Sequence, residues 1–361
     1  GQARCGYLMP LIDKSRFRSM WELDAKTVGL SLPALAAMGF NLANAFRDLH
    51  ARGLCYRDIS KANVLFDPSS GEVRIVDNDN VGVDGTEAAI GGTPEFMAPE
   101  IVRGDPDVHP STQTDAHSLA TLLFCICHRH HPLEGKRKLQ IRCWDWPARQ
   151  RLYGFEPVFI FHPTDDSNEA RPVHPVVDPH GEAGANALAF WQLYPEFLQA
   201  LFTRAFTDGL HDVGARVRET EWRQAFLRLR DAVVQCGSCG RPNFFDTEAK
   251  RVVGGRCWKC QRHVPTPLRL RVGRDVIVLS QEARVLAHHV DHRSEDFSAA
   301  VAVIRRHPVD PTIWGLANVT QGAWDCTTKE GTAVVVPPGR SLPLVPGTRI
   351  RFGRAEGVIE L

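Results

Sequence analysis

Asp58 and Asn63 stand five residues apart in Tyr56-Arg57-Asp58-Ile59-Ser60-Lys61-Ala62-Asn63, and Asp77 follows fourteen residues beyond Asn63. Phosphoryl transfer needs a carboxylate to orient or deprotonate the acceptor hydroxyl. It also needs hard oxygen ligands for the cation that bridges the phosphates. An Asp and an Asn in one loop, with a second Asp in Asp77-Asn78-Asp79, supply that set. Gly92-Thr93-Pro94-Glu95-Phe96-Met97-Ala98-Pro99-Glu100 comes next. One loop Asp alone is usually a turn residue; three such segments in this order and spacing are specific.

A second constellation lies downstream. Cys236-x₂-Cys239 and Cys257-x₂-Cys260 have seventeen residues between the pairs. Each pair can turn as a knuckle whose thiolates converge, and two knuckles give the S₄ set that Zn²⁺ prefers, with Gly237 and Gly240 permitting the first turn. Four thiolates would close the coordination, so such a metal is structural. Two disulfides or four free thiols are the alternatives, and His263 reads as a surface residue.

Several elements must position these groups. Leu35, Met38, Leu42, Ala45, Phe46 and Leu49 recur at helical spacing through 33–52, and Gly53 supplies a stop. Cys55-Tyr56 and 64–66 read as short strands flanking the Asp58 loop. Residues 72–76 alternate up to Asp77, placing it where a strand ends. Residues 115–127 are apolar nearly all round, the mark of a buried helix. Between 136 and 190 there is no clear periodicity, and only Pro157-Val158-Phe159-Ile160-Phe161 suggests a short buried strand or extended segment. Helical spacing resumes through Phe197–Phe202 and Trp222–Val233. From 265 onward, short alternating runs separated by turn chemistry such as Pro338-Gly339-Arg340-Ser341 suggest a β sandwich.

The 361 residues are 43% hydrophobic and 24% charged, ordinary for a folded protein of two or three units. A net charge of +1 with no long run of one sign argues against nucleic acid or an anionic membrane as partner. With no apolar run approaching eighteen residues and no leader pattern, a cytoplasmic location is expected, where paired Cys-x-x-Cys motifs favour metal over disulfides.

The segments of the first constellation resemble the C-terminal lobe of eukaryotic-type Ser/Thr protein kinases over residues 5–233. Tyr56-Arg57-Asp58 is similar to the family's His-Arg-Asp, Asn63 to its catalytic-loop Asn, Asp77-Asn78-Asp79 to Asp-Phe-Gly and Ala98-Pro99-Glu100 to Ala-Pro-Glu. The resemblance implies that Asp58 serves the acceptor hydroxyl of a protein substrate. It implies that Asn63 and Asp77 hold Mg²⁺ on ATP. Arg57 would pair with a phosphorylated loop residue, with Thr86 the candidate, and Thr93 would hydrogen-bond near Asp58. Asp115 would open the central helix, and Arg216 would pair with Glu100. Leu8-Met9-Pro10 resembles the adenine-facing edge of the hinge strand, which assigns Tyr7 and Met9 to the nucleotide.

Three departures stand out. Ser60 replaces the usual lysine and Lys61 comes one position late. Asp79 replaces glycine. No Gly-rich loop or strand lysine precedes Asp58. The chain is therefore expected to be a truncation that lacks the N-lobe, inactive alone, or else a natural scaffold without that lobe.

Residues 313–320 and 339–353 resemble the last strands of forkhead-associated domains. Gly273-Arg274 is similar to that family's Gly-Arg, but no Ser-x-x-His follows, only His288-His289. The order of segments resembles a bacterial kinase group linked to a PP2C-type phosphatase and a von Willebrand A-domain protein, which are the implied partners. The expected fold is multidomain α+β: a helical kinase C-lobe (1–233), a Cys₄ zinc ribbon (234–264) and a β sandwich (265–361). The expected function is Ser/Thr protein kinase, the rivals being a catalytically silent scaffold and a phosphopeptide reader acting through Arg274.

Overall fold

Two serines start the first helices, each accepting a first-turn backbone N–H. Strand β1 (Arg18–Ser19) runs into α1 (Met20–Asp24), closed by a capping box of Ser19 and Glu22. Helix α2 (Leu32–His50) has Ser31 as its cap and buries Leu35, Met38, Leu42 and Phe46 on the face their spacing defines. Gly53, at φ 71°, turns the chain into β2 (Leu54–Cys55). The structure, a computed structural model, describes residues 11–25, 27–87, 92–171, 184–294, 296–310 and 313–361. It mixes helix and sheet in two units, one formed by 1–187 with 201–223 and the other by 188–200 with 224–361. Tyr7, Met9 and the strand expected over 5–10 lie outside the described residues.

In the first unit, β3 (Val64–Phe66) pairs antiparallel with β1 and with β4 (Val73–Ile75), and β5 (Gly82–Val83) pairs with β2. Helix α3 (Pro99–Arg103) starts at proline and ends at Gly104. Helix α4 (Thr112–His128), capped by Ser111 and Thr114, is buried from Thr114 to its end and stops where Arg129 turns left-handed. Around Phe124 pack the rings of Phe159, Phe202 and Phe206 at 5.2–5.8 Å.

Sequence periodicity finds nothing between 136 and 190, yet the described part of that stretch is ordered by specific contacts. It holds α5 (Lys136–Leu139), α6 (Trp146–Arg149) with a π-helical turn over Gln150–Phe155, and α7 (Ala185–Trp191). Fully buried Asn168 donates to the carbonyls of Leu133 and Val158 and accepts from the N–H groups of Gly135 and Arg137. Residues 157–161 form no strand; Phe159 and Ile160 are buried on an extended segment that turns at Ile160. Helices α8 (Glu196–Phe206), α9 (Asp208–His211) and α10 (Glu219–Asp231) follow.

The second unit is mainly sheet. Strands β6 (Val233–Gln235), β7 (Pro242–Asp246) and β8 (Arg251–Val252) form one antiparallel sheet. Next come β9 (Arg269–Val272), β10 (Asp275–Val278), β11 (Arg284–Leu286), the short helix α11 (Ala287–Val290), β12 (Ala300–Arg306) and β13 (Trp314–Asn318). The last strands are β14 (Trp324–Thr327), β15 (Ala333–Val336), β16 (Ser341–Pro343), β17 (Arg349–Phe352) and β18 (Ala355–Glu360). They make a six-stranded sheet, β10-β9-β18-β17-β14-β15, and a four-stranded sheet, β11-β12-β13-β16, antiparallel throughout. Both sheets contribute to one apolar cluster, with Leu270, Trp324, Ile350 and Phe352 from the first and Val285, Ala302, Leu316 and Leu342 from the second. Strand β17 shows the cause: Arg349 and Arg351 face out while Ile350 and Phe352 face in. No helix among the described residues is long and apolar enough to cross a membrane.

Candidate functional site

The Asp58 loop spans β2 to β3, and a buried carboxylate fixes its entry. Asp115 of α4, 1% exposed, accepts the N–H of Tyr56 at 2.5 Å and of Arg57 at 2.9 Å. Arg57 takes φ 75°, a left-handed conformation that a side chain rarely adopts and that these two bonds hold. His50, at the end of α2, places Nε2 3.1 Å from Asp115 Oδ2 and Nδ1 2.7 Å from Glu219 Oε1. Burial opposes charge on this ring, but the two carboxylates outweigh it and raise its pKa to about 9.

Past this anchor, the Asp58 carboxylate is held on both oxygens. Asn63 Nδ2 donates to Oδ2 at 2.9 Å and also to the Asp58 carbonyl, while Thr93 donates to Oδ1 from its N–H and its hydroxyl, each at 3.0 Å. Gly92 allows that approach, because a Cβ there would stand 2.7 Å from the Arg57 carbonyl. The segment 93–97 is pinned from below by His131, whose Nε2 meets the Glu95 carbonyl at 2.7 Å while Nδ1 accepts from Leu133 N–H. Burial lowers this ring's pKa to about 4, so it stays the neutral tautomer those bonds require.

Asp77 follows β4 at φ 61°, exposed, with its carbonyl accepting from the Tyr56 hydroxyl at 3.0 Å; that hydroxyl also donates to Val76 O. The Val76 N–H donates to the Asn63 carbonyl at 3.0 Å, which ties the Asp77 segment to the Asp58 loop. With its nitrogen spent on Asp58, Asn63 has its side-chain oxygen to offer a cation, and Asp77 offers a carboxylate. Both are the hard oxygen donors that Mg²⁺ takes. Lys61 turns to Asp24 of α1 at 2.8 Å. The Arg57 guanidinium lies 2.7 Å from the Thr86 hydroxyl. Arg216, 5% exposed, clasps Glu100 through two bonds of 2.8 and 2.7 Å and also donates to the carbonyls of Gly209 and Gln113.

His50, Glu219 and Asp24 escaped the sequence reading. A histidine in the last turn of a helix ordinarily does no more than complement the helix dipole, and the carboxylates it meets come from 65 and 169 residues away.

In the second unit the four cysteine sulfurs converge, all within 4.8 Å of one another. Cys236 and Cys260 stand 3.7 Å apart and Cys239 and Cys257 3.6 Å. A disulfide needs about 2.05 Å. A tetrahedron with Zn–S bonds of about 2.3 Å has edges of roughly 3.8 Å, so the thiols fit a bound zinc and do not fit two disulfides. Both knuckles close alike: Gly240 N–H donates to the Cys236 carbonyl and Gln261 N–H to that of Cys257, with Gly240 and Gln261 both left-handed. The N–H groups of Cys239 and Ser238 lower the Cys236 pKa. Arg274 is exposed in the β9–β10 turn after Gly273. His289 instead accepts from Leu286 N–H and faces Asp231 at 2.9 Å, a structural clamp.

Residues 8–162 match the family described as the protein kinase domain. Over 141 residues the chain is 35% identical to the serine/threonine-protein kinase SBK2 of Homo sapiens, covering 37% of this chain and 37% of that protein. It is 30% identical over 104 residues to the serine/threonine-protein kinase PknK of Mycobacterium bovis, covering 28% and 9%. With the serine/threonine-protein kinase PknD of Chlamydia felis it shares 27% over 165 residues, 37% of this chain and 17% of that protein. The alignments thus span little more than a third of the SBK2 relatives.

Proposed function

We propose that this chain carries the catalytic half of a Ser/Thr protein kinase, in which Asp58 receives or orients the hydroxyl of a protein substrate. The observation that carries the reading is the carboxylate of Asp58, held on both oxygens by Asn63 and Thr93 in a loop moored to Asp115. ATP with Mg²⁺ would supply the transferable phosphoryl group and the bridging charge; Asn63 and Asp77 would hold the cation. Thr93 fixes the carboxylate rotamer, so the base is positioned before substrate arrives. The guanidinium of Arg57 is placed to take a phosphate on Thr86, converting a hydrogen bond to a neutral hydroxyl into an ion pair. Kinases also hold the phosphates with a Gly-rich loop and a strand lysine, which this sequence does not offer. We therefore propose that the 361 residues alone transfer phosphate slowly or not at all.

The Cys₄ cluster is proposed to hold one structural zinc, and the two-sheet unit to be a sandwich of forkhead-associated type that docks proteins. On resemblance alone, a PP2C-type phosphatase and a von Willebrand A-domain protein are proposed as partners. Asp79, in place of glycine, favours a second reading, a catalytically silent docking lobe, because it adds a carboxylate beside the metal ligands. Transfer of labelled γ-phosphate by the full-length kinase and by its Asp58→Asn variant decides between them. The kinase reading expects a drop of about 10²–10⁴-fold; background transfer by both proteins would leave only the docking lobe, and equal transfer above background would refute the role of Asp58.

A further inference from the structure

Asn243 reaches both cysteine knuckles with one side chain. It lies on β7, 3% exposed, with hydrogen bonds from both ends of its amide. Its oxygen accepts the Trp258 N–H at 3.1 Å, inside the second knuckle. Its nitrogen donates to the Arg241 carbonyl at 2.9 Å, and that same carbonyl accepts the Cys236 N–H that closes the first knuckle. The nitrogen also stands 3.7 Å from Cys257 Sγ, within reach of an N–H···S bond. Cys257 is fully buried, out of reach of bulk solvent.

We propose that Asn243 is the positioning residue of the cysteine site, setting the separation of the two knuckles and withdrawing charge from the Cys257 thiolate. The inference rests on the zinc reading above. Four thiolates on Zn²⁺ leave a net charge of −2, and a buried N–H donor aimed at one sulfur spreads that charge. Only a side chain with an acceptor and two N–H bonds on one planar group makes all three contacts. Asp keeps the shape and the acceptor but replaces the donor with a carboxylate beside the sulfur. Ser is too short to span from Trp258 N to Cys257.

The test uses the full chain loaded with Zn²⁺ or Co²⁺. Competition with a chelating dye should show zinc bound about 10–100-fold more weakly in Asn243→Asp and Asn243→Ser than in the wild type. The sulfur-to-cobalt charge-transfer band should move to lower energy in both, since a thiolate without its N–H donor gives up electrons more readily. A purely structural role for Asn243 would leave the band of the folded, metal-loaded variant where it is. Wild-type affinity and an unmoved band in both variants would overturn the proposal while leaving the zinc reading intact. A wild-type chain that binds neither metal would remove the zinc reading and the proposal with it. If Asn243→Asp fails to fold, Asn243→Ser, which adds no charge, decides alone.

Discussion

Raising the pH should disconnect His50 from its two carboxylates. Both ring nitrogens face an acid, Asp115 at 3.1 Å and Glu219 at 2.7 Å, and only the imidazolium can donate to both. Folding therefore lifts its pKa from 6.5 to about 9. A folded value above the unfolded one means that the stabilisation is complete below pH 6.5 and fades as the pH rises through 9. The gap corresponds to roughly 3 kcal/mol at full strength. His50→Gln keeps one hydrogen bond and loses the charge, so the stability difference from wild type should be of that order at pH 6 and shrink by pH 10. Urea unfolding at intervals across that range, with the His50 ring followed by NMR, gives both quantities. A ring midpoint at or below 6.5, or a stability difference that does not change with pH, would refute the reasoning.

Arg216→Ala leaves Glu100 buried without its partner and should cost about 3–5 kcal/mol, measured by denaturant unfolding; Arg216→Lys should recover only part, because it cannot form the two-pronged contact. Asn168→Ala strips four bonds of a fully buried amide at once and should lower stability by at least about 3 kcal/mol, visible as a fall in Tm, whereas Ser167→Ala removes one contact with Arg137 and should cost under about 1 kcal/mol. Metal analysis should return about one zinc per chain, and Cys257→Ser should reduce it to near zero, since a structural site needs all four ligands. Retention of the zinc in that variant would point to another site.

Much of this fold can be read without coordinates where periodicity speaks. Residues 115–127 of helix α4 are apolar nearly all round and lie buried; β17 alternates Arg349-Ile350-Arg351-Phe352 and presents alternate faces. The grouping of Asp58 with Asn63 is announced by their spacing, whereas the Thr93 contact and the pairing of Arg216 with Glu100 are implied only by the family resemblance. What periodicity misses is order built from single polar groups. Asn168 ties residues 133–137 to Val158 with four bonds, and nothing about one Asn in a Pro- and Asp-rich stretch announces them. His50 acts through partners remote in sequence. The second knuckle is half legible: its cysteines are plain, but Gln261 takes the left-handed turn that Gly240 takes in the first, where a side chain gives no hint of it.

Asp115 also sets how the Asp58 loop breathes. Its carboxylate receives the amides of Tyr56 and Arg57, yet it belongs to the first turn of a helix buried from Thr114 onward. Those two amides cannot meet solvent by a local flicker of the loop; the helix must part from it first. In native-state hydrogen exchange they should therefore belong to the slowest class of the first unit, exchanging with α4, while the amide of Asn78, an exposed residue, exchanges early. A loop of this kind is a surface extension of the core's own cooperative unit, stiff at the Asp58 end and free to yield only toward Asp77.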